Sequence, residues 1–201
     1  MSEPAAMPPK MTAAEFVTWD DGTDMTYELV DGRPLPRYAR SWRGPVPPEV
    51  APPTARHGAL IANAGTEIGN RLKGHRPCGA AVIAAVEIDE RNVYVADVVA
   101  TCAPPTGDAV CVPDPFLIVE ILSDTDRGRR LREKVDGYMA LPSVREIWLL
   151  DSRRRWLCHS RRLDGARWVV QVPLTGPATF ASPTLGGEPI ALDRLYRNTD
   201  L

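Results

Sequence analysis

Nothing in this sequence has the spacing of a zinc site. Cys78, Cys102, Cys111 and Cys158 never form a C-x-x-C pair, and His57, His75 and His159 stand at no ligand spacing. No apolar run approaches the roughly 18 residues of a membrane helix. Met1–Lys10 has neither the basic nor the apolar region of a secretory signal. These absences predict a cytoplasmic protein without membrane association and without a disulfide framework. An excess of positive charge is also missing, since 24 Lys and Arg against 26 Asp and Glu leave −2. That excludes a passive basic coat on nucleic acid, whose affinity comes from neutralising phosphates. It leaves room for an enzyme that meets DNA through a local patch.

What is present is ordinary globular composition, 44% hydrophobic and 25% charged over 201 residues, enough for one domain. Residues 1–10 read as a disordered tail and 11–201 as the domain. Thr12 with Glu15 three residues on marks a capping box and a short helix. Tyr27–Val30 reads as a strand, and Asp31-Gly32 as a hairpin turn. Proline crowds residues 34–53, which read as a long loop. Leu60, Ala64, Ile68 and Leu72 stand four apart and predict a helix over 55–73. Residues 79–88 and 92–101 read as strands joined by a tight turn, and 102–115 as a second loop. Phe116–Leu122 is apolar without alternation, as in a central strand. A helix is predicted over 127–140, with Leu131, Val135, Tyr138 and Met139 as its buried stripe. Strands follow at 146–150 and near 155–160 and 167–174. The order predicts an α/β fold with a mixed central sheet flanked by helices.

Two acids stand where a strand calls for Val. Asp97 interrupts the row Val93, Val95, Val99, and Glu120 lies inside the most apolar strand. An ionised carboxylate there costs several kcal/mol unless it is paired or holds a metal. A buried Arg partner would serve one such acid; two on consecutive strands repel and call for a shared cation. Left without one, they predict that Asp97→Asn stabilises the metal-free protein. Lys134, at the border of the helical stripe, can extend its amine to the end of the sheet, although a solvated helix lysine has the same pattern. His57 at a helix start could meet a phosphate or carry a proton, or simply contact a carboxylate. Arg153-Arg154-Arg155-Trp156 and Arg161-Arg162 suit a DNA backbone or a solvated hairpin.

These residues fall into an ordered series. Tyr27-Glu28-Leu29-Val30-Asp31-Gly32, Pro53-Thr54-Ala55-Arg56-His57, Val95-Ala96-Asp97-Val98-Val99, Phe116–Ser123, Glu133-Lys134 with Tyr138, and Glu146–Asp151 together resemble the Uma-two family of the PD-(D/E)xK restriction-endonuclease-like superfamily. The resemblance runs from about Thr12 to Ser160. It implies a restriction-endonuclease-like fold and an Mg²⁺-dependent endonuclease, with Mn²⁺ as a substitute. Asp97, Glu120 and the carbonyl of Ile121 would ligate the metal, which activates water and offsets charge on the scissile phosphate. The superfamily lysine usually lies two residues after the second acid, where this chain has Leu122. The resemblance moves that role to Lys134. Glu28 would be an accessory acid; a surface charge at the hairpin edge is the other reading. DNA is the expected substrate, and a homodimer is expected because cutting both strands calls for two sites. Two departures stand out: Ala96 replaces a proline, and Arg130 occupies an acid's place. Arg130 could bind phosphate, or mark a catalytically inactive protein that retains the fold for binding.

Overall fold

The computed structural model of the chain describes residues 9–22, 25–39, 54–103, 105–123 and 128–201. Most of the expected tail lies outside them. The described residues form two compact units, the first from those up to 52 with 87–95, the second from 53–86 with 96–201.

In the first unit, Thr12 and Glu15 close both arms of the capping box and start α1 (Ala13–Phe16). Asp31-Gly32 turns the hairpin between β1 (Met25–Val30) and β2 (Arg33–Ala39), with φ of 50° and 76°. Gly32 is required twice over. Its φ is left-handed, and a Cβ would meet the Met11 carbonyl oxygen at 2.9 Å. β2 corrects the loop expected from residue 34. Pro34 and Pro36 sit on a strand that pairs with β1 alone among the described residues, and an edge strand tolerates a missing N–H. Residues 40–53 of that expected loop lie outside the description.

The second unit holds the main core. Thr54 caps α2 (Ala55–Leu72) by accepting the His57 N–H at 3.2 Å, and Leu60, Ala64, Ile68 and Leu72 form its buried row. β3 (Gly79–Asp89) and β4 (Asn92–Thr101) share a tight turn closed by Asp89, which with residues 87–95 belongs to the first unit, while the remainder of both strands belongs to the second. The sequence reads β4 as alternating, yet every residue from Val93 to Thr101 is buried. Both its faces are covered. From there the sheet runs β4, β5 (Pro115–Leu122), β6 (Glu146–Asp151), β7 (Trp156–Asp164), β8 (Arg167–Val170). β5 and β6 are parallel, and α3 (Arg129–Ala140) makes the crossover between them. In α3 only Tyr138 is buried; the rest of the expected stripe is half-covered.

Two features were not expected. Residues 174–201 add β9 (Leu174–Thr175) beside β7, the ribbon β10 (Thr179–Ala181) and β11 (Pro189–Ala191), and α4 (Leu192–Leu195). Phe180, Ile190, Leu192, Leu195 and Tyr196 join the α2 side of the core. Cys78 and Cys102 form a disulfide, correcting the reading of four scattered thiols. They flank the far ends of β3 and β4, which run back from one turn, so the hairpin brings them together. Among the described residues no helix is long and apolar enough to cross a membrane.

Candidate metal-binding carboxylate pair

The antiparallel register of β4 on β5 pairs Val98 with Val119. Continued by one residue, it sets Asp97 opposite Glu120. Directly opposed residues project to the same face. Backbone pairing stops there, and the Asp97 side chain takes over: its Oδ2 accepts the Ile121 N–H at 2.7 Å. The N–H and C=O of one strand residue lie on the same edge, so the Ile121 carbonyl also lies on the β4 edge.

Both acids are deeply buried, Asp97 at 1% and Glu120 at 5% exposure, and each has a nitrogen beside it. Glu120 Oε1 accepts from Lys134 Nζ at 2.9 Å and from the Tyr138 hydroxyl at 2.7 Å. These donors stand four apart on α3, one above the other on a helix face. His57 Nε2 lies 3.5 Å from Asp97 Oδ1. Its Nδ1 is buried without a hydrogen-bond partner among the described residues. The sequence-based picture of two uncompensated carboxylates therefore needs correcting: the helices on either side bring them partners.

Asp97, Glu120, Lys134 and His57 thus come together, with Ile121 between the acids' strands. Glu28 is buried at 3% in the first unit, where it accepts the Val95 N–H at 2.9 Å and stands 3.8 Å from Arg37. That overturns the reading of a surface hairpin charge. Arg130 is exposed in the first turn of α3. Tyr138 belongs to the sequence's helical stripe and to the Glu133-Lys134 motif, but neither pattern signals its contact with Glu120.

The arginine runs are structural in large part. Arg153 and Arg154 both bond buried Asp151. Arg155 bonds Asp193 and the Leu201 carbonyl, and Arg162 donates to the carbonyls of Val144, Met139 and Leu141. A cavity of about 660 Å³ lies at the opposite ends of α2 and β5, bordered by Leu72, Cys78, Cys102, Phe116, Arg145 and Leu185. The carboxylate pair does not border it. The pair sits at the carboxyl-terminal end of β5.

A family model named Uma2, described as "Putative restriction endonuclease", matches residues 13–192. A crystal structure of "a putative nuclease belonging to DUF820" from Anabaena variabilis ATCC 29413 superposes with a TM-score of 0.66. It is 16% identical and covers 92% of this chain and 97% of its own. The likeness shows a shared fold. No curated protein matches the sequence. With 13–192 matched, the chain belongs to the Uma2 family.

Proposed function

We propose that this protein is a divalent-metal-dependent endonuclease acting on DNA, with Asp97 and Glu120 as metal ligands and Lys134 as a catalytic residue. The single observation that carries the reading is the pair of buried carboxylates on facing strands, reached by a lysine at 2.9 Å.

The donor set suits a hard cation. Two carboxylates and the Ile121 carbonyl offer oxygen alone. Mg²⁺ takes such a set, keeping positions for water and phosphate oxygen, and Mn²⁺ accepts it too. When bound, the ion supplies Lewis acidity toward the phosphate and lowers the pKa of water. The chain's own residues do the rest. Asp97 and Glu120 fix the position, and the Ile121 N–H sets the orientation of Asp97. Lys134 places a positive charge where charge develops on the phosphate and orients the attacking water. His57, whose other ring nitrogen is buried, positions the Asp97 carboxylate and is not open to phosphate. Glu28, fixed by the Val95 N–H within the first unit, keeps the role of accessory acid that the resemblance implies. Cutting both strands would call on a second copy of the chain.

One observation favours a second reading. Both acids already have partners, as expected of a nuclease fold kept for binding without turnover, and Arg130 in an acid's place points the same way. A cleavage screen on plasmid and oligonucleotides with Mg²⁺ and Mn²⁺ decides between them. Wild type should cut and Asp97→Ala should not; no cleavage by wild type in either metal supports the binding protein.

A further inference from the structure

We propose that Lys134 is the resident counter-cation of Glu120 while no metal is held, and that Tyr138 is the positioning residue that keeps this carboxylate in place once Lys134 lets go. The inference rests on the nuclease reading above and deepens it.

Both donors meet the same oxygen, Glu120 Oε1, at 2.9 and 2.7 Å. They differ in everything else. Tyr138 is fully buried and donates its O–H from a short, stiff aromatic side chain. Lys134 reaches the same atom on a flexible four-carbon stem and carries a full charge. A divalent ion arriving at Glu120 repels an ammonium and leaves a neutral phenol in place. The role given to Lys134 in the reaction also demands movement, because an ammonium held on a ligand oxygen is not on the phosphate or the water. Tyr138 makes that departure cheap, since Glu120 keeps one short hydrogen bond throughout and does not turn away as the lysine leaves. The placement of both groups on one face of α3 couples the exchange to a rigid element. In the metal-free site the charge of Glu120 is thus offset by one that the loaded site reuses.

The test has one arm without metal and one with it. In metal-free protein, Lys134→Met should lower the melting temperature, and adding Glu120→Gln to it should restore most of the loss. Mn²⁺ uptake, read as the fall in the free-ion paramagnetic resonance signal, should then be severalfold tighter in Lys134→Met than in wild type. It should be severalfold weaker in Tyr138→Phe. In cleavage, Tyr138→Phe should raise the Mn²⁺ concentration for half-maximal rate more than it lowers the rate at saturation; a packing role alone would lower the melting temperature and move neither. Unchanged or weaker uptake by Lys134→Met overturns the counter-cation role, and wild-type uptake by Tyr138→Phe overturns the positioning role. If wild type takes up no Mn²⁺ although the metal-free cycle shows the coupling, the nuclease reading fails and the exchange step fails with it.

Discussion

Two buried glutamates on the parallel strands β5 and β6 face opposite fates. Glu146, at the start of β6, is 1% exposed and bonded on every side. Its carboxylate accepts from Ser182 Oγ at 2.7 Å, the Thr184 N–H at 2.9 Å, His159 Nε2 at 3.1 Å and Trp148 Nε1 at 3.2 Å. Three of those donors come from side chains that are themselves buried, and the fourth from backbone. Glu120, near the end of β5, is 5% exposed and takes a lysine and a tyrosine on one oxygen. The register that pairs Leu117 with Glu146 puts the two acids at opposite ends of the strand pair. Burial alone does not separate structure from chemistry. The kind of partner does: fixed, buried donors lock Glu146 to the C-terminal segment, whereas a mobile lysine leaves Glu120 open to exchange.

The largest effect should fall on the locked acid. Glu146→Ala strands several buried donors at once, at a cost of about 3–5 kcal/mol. For a chain of this size that is roughly 10 °C in melting temperature. Differential scanning calorimetry checks it, and cleavage measured well below the transition should survive. A loss under a few degrees would mean the C-terminal ribbon is not held through this carboxylate.

The second effect reverses the pattern. Glu120→Gln should abolish cleavage while changing stability by less than about 1–2 kcal/mol, because the amide keeps an oxygen for Tyr138 and Lys134 can extend toward water. Cleavage retained by purified Glu120→Gln would place any nuclease activity elsewhere.

The contrast also explains what the sequence could reveal. Asp97 and Glu120 were legible because a charge inside an apolar strand is expensive, and each broke a visible pattern. Glu146 broke none. It opens its strand just after a turn, where a charged residue is unremarkable, and its partners lie far along the chain at 159, 182 and 184. The helix α2 announced itself by Leu60, Ala64, Ile68 and Leu72, whereas β10, β11 and α4 are too short for any period to show. β2 was hidden by Pro34 and Pro36, which a pattern reader takes as loop and an edge strand accepts. The partners of the acid pair leave no pattern in the sequence. Lys134 was found through the company it keeps, but its contact with Glu120, that of Tyr138 beside it, and that of His57 with Asp97 are tertiary facts.

Those partners change the third prediction. With Asp97 accepting the Ile121 N–H and facing His57, Asp97→Asn should not stabilise the metal-free protein; it should cost about 1 kcal/mol, since the amide oxygen keeps the backbone bond. Metal response is the sharper readout. Mg²⁺ at ten times its Kd adds about 1.4 kcal/mol to wild type, roughly 3–5 °C. The shift should vanish in Asp97→Asn, as measured by melting with and without Mg²⁺. An equal shift in both proteins would put the metal elsewhere.

The smallest effect lies in the acid range and again belongs to Glu146. Burial pushes its carboxyl up, but the hydrogen bond from His159, those from the Thr184 N–H and Ser182, and the nearby imidazole more than offset this. Its pKa lies below the ordinary glutamate value. A group whose folded pKa is depressed contributes stability above its unfolded pKa and loses it as pH falls through the folded one. The unfolded value is about 4.3, so the contribution is complete at neutral pH and declines only below that region. Glu146→Gln carries no proton equilibrium at this position. The melting-temperature gap between wild type and Glu146→Gln should therefore be flat from neutral pH down to about 5 and close at lower pH. Melting curves of both proteins across that range give the answer as a difference, which cancels the titration of every other carboxylate the two share. A gap that begins to close well above the ordinary glutamate range would mean that desolvation prevails over the donors. The comparison with Glu120 would then lose its basis, because Glu146 would be a strained acid rather than a satisfied one.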